Sequence, residues 1–182
     1  MLKTLFKPSP EKFAGRALYT AISAAARRPA FYVEAGVPDS PEGRFELYLI
    51  HLVLVVHRLK GEGAQASAVS QAMFDAFLRG LDDGLREMGV GDLSVGKKMR
   101  KLGEVIYGRM KAYDEALAMP DPRGELEPLV TRTLFADADG SGAAAVAAYV
   151  AEASAALDLQ PLASLVTGEV SFPAFGVAAV AA

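Results

Sequence analysis

The sequence predicts an all-α protein, a single irregular bundle of six to seven helices around a central apolar helix. Three observations carry this. Apolar residues recur at three- and four-residue spacing through most of the chain. No segment alternates apolar and polar residues at period two, so no strand is expected. Pro, Gly and Ser punctuate the pattern where helices start and stop. Such helices must bury their apolar stripes on one another, and a bundle follows.

The elements can be justified in order. Pro10 with Glu11 opens a first helix, because Pro suits the first helical position and an acid suits the first turn. Arg27 and Arg28 fit its C-terminal end, and Pro29 stops it. Residues 30–44 are rich in Gly and Pro and read as a turn-rich segment, with Phe31, Tyr32 and Val33 expected to anchor it on the body. Ser40 is a plausible N-cap before Pro41 and Glu42. The helix it opens holds the run FELYLIHLVLVVHRL (45–59), apolar nearly all round and therefore expected to be central. Gly61 and Gly63 end it.

A third helix is expected over Ala64–Met88, with Val69, Met73, Phe77 and Leu81 on one stripe and Gly89 as its stop. Asp92 or Ser94 then caps a fourth, about 94–118. There Val95, Met99, Leu102, Ile106, Met110, Tyr113 and Leu117 face inward, and Lys97, Lys98, Arg100, Lys101, Arg109 and Lys111 face out. Pro120, Asp121, Pro122 and Gly124 read as a linker. Helical patterns return over Glu125–Phe135 and 140–158, with a last turn or two at Leu162–Val166. The divisions are an N-terminal extension (1–9), the helical body (10–167) and an apolar C-terminal tail (168–182).

Composition narrows the function. The chain has 182 residues, a net charge of −3 and no cysteine, which excludes disulfides, thiol catalysis and thiolate metal sites. No overall basic excess points to DNA. The 45–59 run is shorter than the ~20 apolar residues a spanning helix needs. No apolar stretch precedes Pro8 to form a secretory signal, so a cytoplasmic location is expected, with peripheral contact at the inner membrane as the further option.

Several short motifs imitate catalytic ones. Gly91–Lys97 matches the start of a phosphate loop. However, Lys98 stands where Ser or Thr must hold Mg²⁺, and no strand precedes it. Gly61-Glu-Gly63-Ala-Gln-Ala66, with Tyr107 and Lys111, resembles a dinucleotide site but lacks a βαβ context. Asp137, Asp139 and Ser141 suggest a calcium loop, yet Ala148 occupies the position of its bidentate Glu. His51 and His57, six apart on a helix, diverge by about 120° and cannot share a metal from one face. His51 reads as a satisfied core histidine. No catalytic, cofactor-binding or metal-ligating residue is assigned, and no cofactor is expected.

Charge is uneven along the chain. Residues 79–92 sum to −2 and residues 94–111 to +5. The basic face is either solvated surface or a contact for RNA, acidic lipid or a protein partner.

The blocks GRFELYLIHLVLVVHRL and SQAMFDAFLRGLDDGLREMGVGDLSVGKKMRKLGEVIYGRMKAYDEAL, together with the upstream FYVEAGVPDSPEGRF, resemble the ubiquinol–cytochrome c chaperone family. These are assembly factors of the respiratory cytochrome bc complex. The close resemblance covers about 31–118, and ELEPLVTRTLF resembles the family's later helix. It implies a non-enzymatic chaperone whose client is newly made cytochrome b, with a ribosome or a small partner subunit as further candidates. Without the long N-terminal targeting region of mitochondrial members, the chain looks like a bacterial one. The contact surface is expected at Arg86, Asp92, Lys97, Lys98 and Lys101, extended by Tyr107 and Arg109, with Phe31 and Tyr32 bordering an apolar groove. The alternative is a peripheral membrane or RNA-binding helical module with no protein client.

Overall fold

The computed structural model describes residues 9–136 and 138–176. Among them there are eight helical segments and no strand. They are α1 (Pro10–Ala26), α2 (Pro29–Val33), α3 (Pro41–Leu59), α4 (Ala64–Glu87), α5 (Asp92–Leu117), α6 (Pro122–Leu134), α7 (Ala143–Asp158) and α8 (Leu162–Thr167). The all-α bundle expected from the sequence is the fold observed.

Helix α3 is its axis. Leu47, Leu49, Ile50, Leu52, Val53, Leu54 and Val55 are all buried, and the helix touches α1, α4, α5, α6 and α7. Ser40 caps it, accepting the Gly43 amide at 3.1 Å. Helix α1 runs against α4 so closely that a Cβ on Gly15 would lie 2.6 Å from the Met73 amide nitrogen. Only glycine fits that crossing.

Three boundaries differ from the sequence reading. Pro29–Val33 is a single helical turn rather than loop. Within it Phe31 is fully buried, Tyr32 is half-buried, and Val33 is 81% exposed and anchors nothing. Helix α5 begins at Asp92 with Gly91 at its N-cap and no side-chain cap, because Asp92 is drawn instead to Arg86. The Pro120–Gly124 segment is part linker and part helix. Asp121 accepts the Gly124 amide at 3.3 Å, and Pro122 starts α6.

The described part of the C-terminal tail returns to the bundle. The Arg28 guanidinium donates to the carbonyls of Phe172 and Pro173. Phe175 packs on Phe31 with ring centroids 4.5 Å apart. This closes the aromatic end of the core, where Phe31, His51, Tyr149 and Phe172 also meet.

Candidate functional site

The motif lookalikes are built into helices and turns. Gly91 ends the α4–α5 turn, and Gly96 and Lys97 lie inside α5, so no loop cradles a phosphate there. Gly61 and Gly63 form the α3–α4 turn with positive φ, and Tyr107 and Lys111 stand one turn apart on α5. Asp137 lies outside the described residues. Asp139 is used locally, accepting the Ser141 amide and hydroxyl at 3.0 and 2.9 Å. Among the described residues no group of three His, Asp or Glu is placed to hold a metal ion.

The two histidines are held differently. His51 is fully buried between α3 and α7. Its Nδ1 lies 2.7 Å from the Leu47 carbonyl and its Nε2 2.8 Å from the Tyr149 hydroxyl. A carbonyl only accepts, so Nδ1 carries the proton and Nε2 accepts from Tyr149. Burial lowers the His51 pKa to about 4 and keeps the ring neutral. His51 is thus a satisfied core histidine, as its sequence context suggested. His57, at the far end of α3, lies at the surface with Nδ1 2.7 Å from Asp114 Oδ1 on α5. Lys60 Nζ donates to the other carboxylate oxygen at 2.7 Å. These two contacts, Lys60 first, hold Asp114 below the usual carboxylate range.

Beside this clamp lies the apolar opening of the bundle. Val53, Val56, Tyr107 and Met110 line a cleft of about 310 Å³ between α3 and α5, with His57, Lys60, Lys111 and Asp114 at its edge. It shares Val56, Lys60, Tyr107 and Met110 with a second cleft of about 430 Å³, which runs on to Ser67, Ser70, Gln71 and Phe74 of α4. The sequence reading did not single out this groove. Its floor comes from three helices, and each residue read alone looks like ordinary core.

The expected contact residues separate into six groups. Arg86 is tied up at the α4–α5 turn, donating to Asp82 at 2.6 Å and pairing with Asp92. Lys97, Lys98 and Lys101 are exposed and in no ion pair between described residues. Tyr107 is 79% exposed at the rim of both clefts. Arg109 does not belong to the outer basic face, because it lies three residues after Ile106 and four before Tyr113 on the inner stripe. Its Nε lies 3.1 and 3.2 Å from the two oxygens of Glu46, which is only 6% exposed. Phe31 presents no surface, because it is packed inside the aromatic cluster and borders no open groove. Tyr32 lines a separate shallow cleft with Arg27 and Arg44, and its hydroxyl donates to the Ala26 carbonyl at 3.0 Å. No helix among the described residues is long and apolar enough to cross a membrane.

No curated protein matches the chain. A solved structure described as the crystal structure of the Cbp3 homolog from Brucella abortus is 34% identical to it. That comparison has a TM-score of 0.84 and covers 96% of this chain and 98% of that one. The family model described as ubiquinol-cytochrome C chaperone matches residues 33–172. The match therefore runs past 118, where the sequence resemblance was closest, through α6, α7 and α8 to Phe172. On a match of that length and a shared fold along nearly the whole chain, this protein belongs to the ubiquinol–cytochrome C chaperone family.

Proposed function

We propose that the protein is a non-enzymatic assembly chaperone of the cytochrome bc complex that binds newly made cytochrome b at the cytoplasmic face of the membrane. Family membership carries this reading. The groove between α3, α4 and α5 supplies a physical means. Its floor of Val53, Val56, Phe74 and Met110 offers apolar contact. A bundle receives a helical segment most simply by laying the segment's apolar face in such a groove. A chaperone needs affinity rather than bond-making chemistry. Both histidines of the chain are engaged in hydrogen bonds that tie helices together.

The test is genetic and direct. In a bacterium that depends on the bc complex, deletion of the gene is expected to abolish assembled cytochrome b, and the wild-type copy to restore it. Normal cytochrome b levels in the deletion strain would refute the reading. A photo-crosslinker at Val56 or Met110 is expected to trap cytochrome b during its synthesis.

A further inference from the structure

Helix α5 uses only half of its circumference in the bundle. Val95, Ile106 and Tyr113 are buried on the inner side. At about 100° per residue, Lys97, Arg100 and Lys101 fall on the opposite half and Lys98 on its flank, all four within an arc of about 180°. Leu93, Val105 and Tyr107 share that arc. Glu104 is the only acid between 93 and 107, so the outer face carries four cations against one carboxylate. None of the four cations is ion-paired with a described residue.

The apolar residues distinguish this face from a merely solvated one. Leu93 is 100% exposed, Tyr107 79% and Val105 40%. They are interleaved with the cations rather than set apart from them. The tip of the α4–α5 hairpin is open to solvent, since no residue from 82 to 94 is buried, while Leu78, Leu81 and Leu102 still pack on the core at its base. Exposed Met88 sits at its turn. A long helix face with cations and aliphatic residues on one exposed half suits the boundary of an anionic bilayer. The apolar side chains enter among the acyl chains while Lys and Arg reach the phosphates. Single-stranded RNA would need several stacking platforms, and the face from Leu93 to Tyr107 offers one aromatic ring, that of Tyr107.

We infer that the outer face of α5, from Leu93 to Tyr107, is a docking surface for an anionic lipid bilayer. Its biological role rests on the function proposed above, because docking there sets the α3–α4–α5 groove beside the membrane in which the client must assemble. The binding itself requires no client.

The experiment is co-sedimentation of the full chain with vesicles of phosphatidylcholine alone or of an equimolar mixture with phosphatidylglycerol. Binding is expected to the mixed vesicles only. The Lys97→Gln, Lys98→Gln, Lys101→Gln triple variant should bind about a hundredfold more weakly, at roughly one decade per 1.4 kcal/mol and about 1 kcal/mol per cation. The Leu93→Ser, Val105→Ser variant should lose about tenfold, a loss that persists at raised salt because apolar contact is not screened. These positions are exposed, so an unchanged helical circular dichroism spectrum is expected and checks folding. Absence of wild-type binding to the mixed vesicles, or equal binding by the lysine variant, would overturn the inference. So would tighter, lysine-dependent binding to single-stranded RNA. If vesicle binding fails while the deletion strain still lacks cytochrome b, the chaperone reading stands and only this surface is wrong.

Discussion

The imidazole of His51 on α3 accepts a hydrogen bond from the Tyr149 hydroxyl on α7, 98 positions along the chain, at 2.8 Å within the buried aromatic end of the core. With the Leu47 carbonyl accepting from the other ring nitrogen, this neutral histidine has both nitrogens satisfied and joins α3 to α7. Removing one partner of such a pair leaves a buried polar atom with nothing to bond. Tyr149→Phe should therefore cost about 1–3 kcal/mol, measured by urea unfolding at neutral pH.

The same histidine makes stability depend on pH. Its folded pKa, about 4, lies below the value of about 6.5 in the unfolded chain, so the unfolded state takes up a proton first as pH falls. Its contribution is complete above about pH 6.5 and declines as pH falls towards 4, by about 3 kcal/mol in all. Unfolding curves across that window should be markedly flatter for a His51→Leu, Tyr149→Phe variant, which replaces both polar partners. An unchanged slope would show that His51 does not govern it.

Glu46 and Arg109 form a second buried link, from α3 to α5. Burial raises the Glu46 pKa, and the Arg109 charge opposes that rise. Arg109→Ala strands a carboxylate in the interior and should cost about 2–4 kcal/mol at pH 8. Protonation relieves the stranded charge, so the loss should shrink as pH is lowered towards 5. Guanidinium titrations at the two pH values measure the difference.

The Lys60–Asp114–His57 clamp at the groove edge is partly exposed, so its energetic share is small. Asp114→Asn should destabilise by under about 1 kcal/mol. Asp114 titrates below its ordinary value, so its contribution holds at neutral pH and fades as pH falls through that lowered value. Its larger effect is expected on the groove. With α3 and α5 no longer pinned there, hydrogen exchange at residues 105–114 should quicken.

Gly15 marks the tightest helix crossing. Gly15→Val places side-chain atoms where the Met73 backbone already sits, and α1 must move away from α4. A loss of about 2 kcal/mol or more, read as a lower Tm, is expected. Gly96→Ala in α5, where an added Cβ meets nothing, should be neutral or stabilising.

Most helices were legible in the sequence because their determinants are local. Ser40 before Pro41, Pro10 before Glu11 and Gly89 after α4 act through bonds and torsions within a few residues. The apolar run of 45–59 announced the central helix, since nothing but a core can accept it. The basic outer face of α5 was equally plain, because spacing alone sorts residues to the two sides of a helix. Tertiary packing decided what spacing cannot carry. It supplied Glu46 as the partner of Arg109, a residue that spacing from Ile106 and Tyr113 already sets on the inner stripe, sank Phe31 under Phe175, left Val33 in solvent, and assembled one groove from three helices. Each of these depends on which distant residue comes to lie opposite, and that is set by how whole helices pack rather than by preferences along the chain.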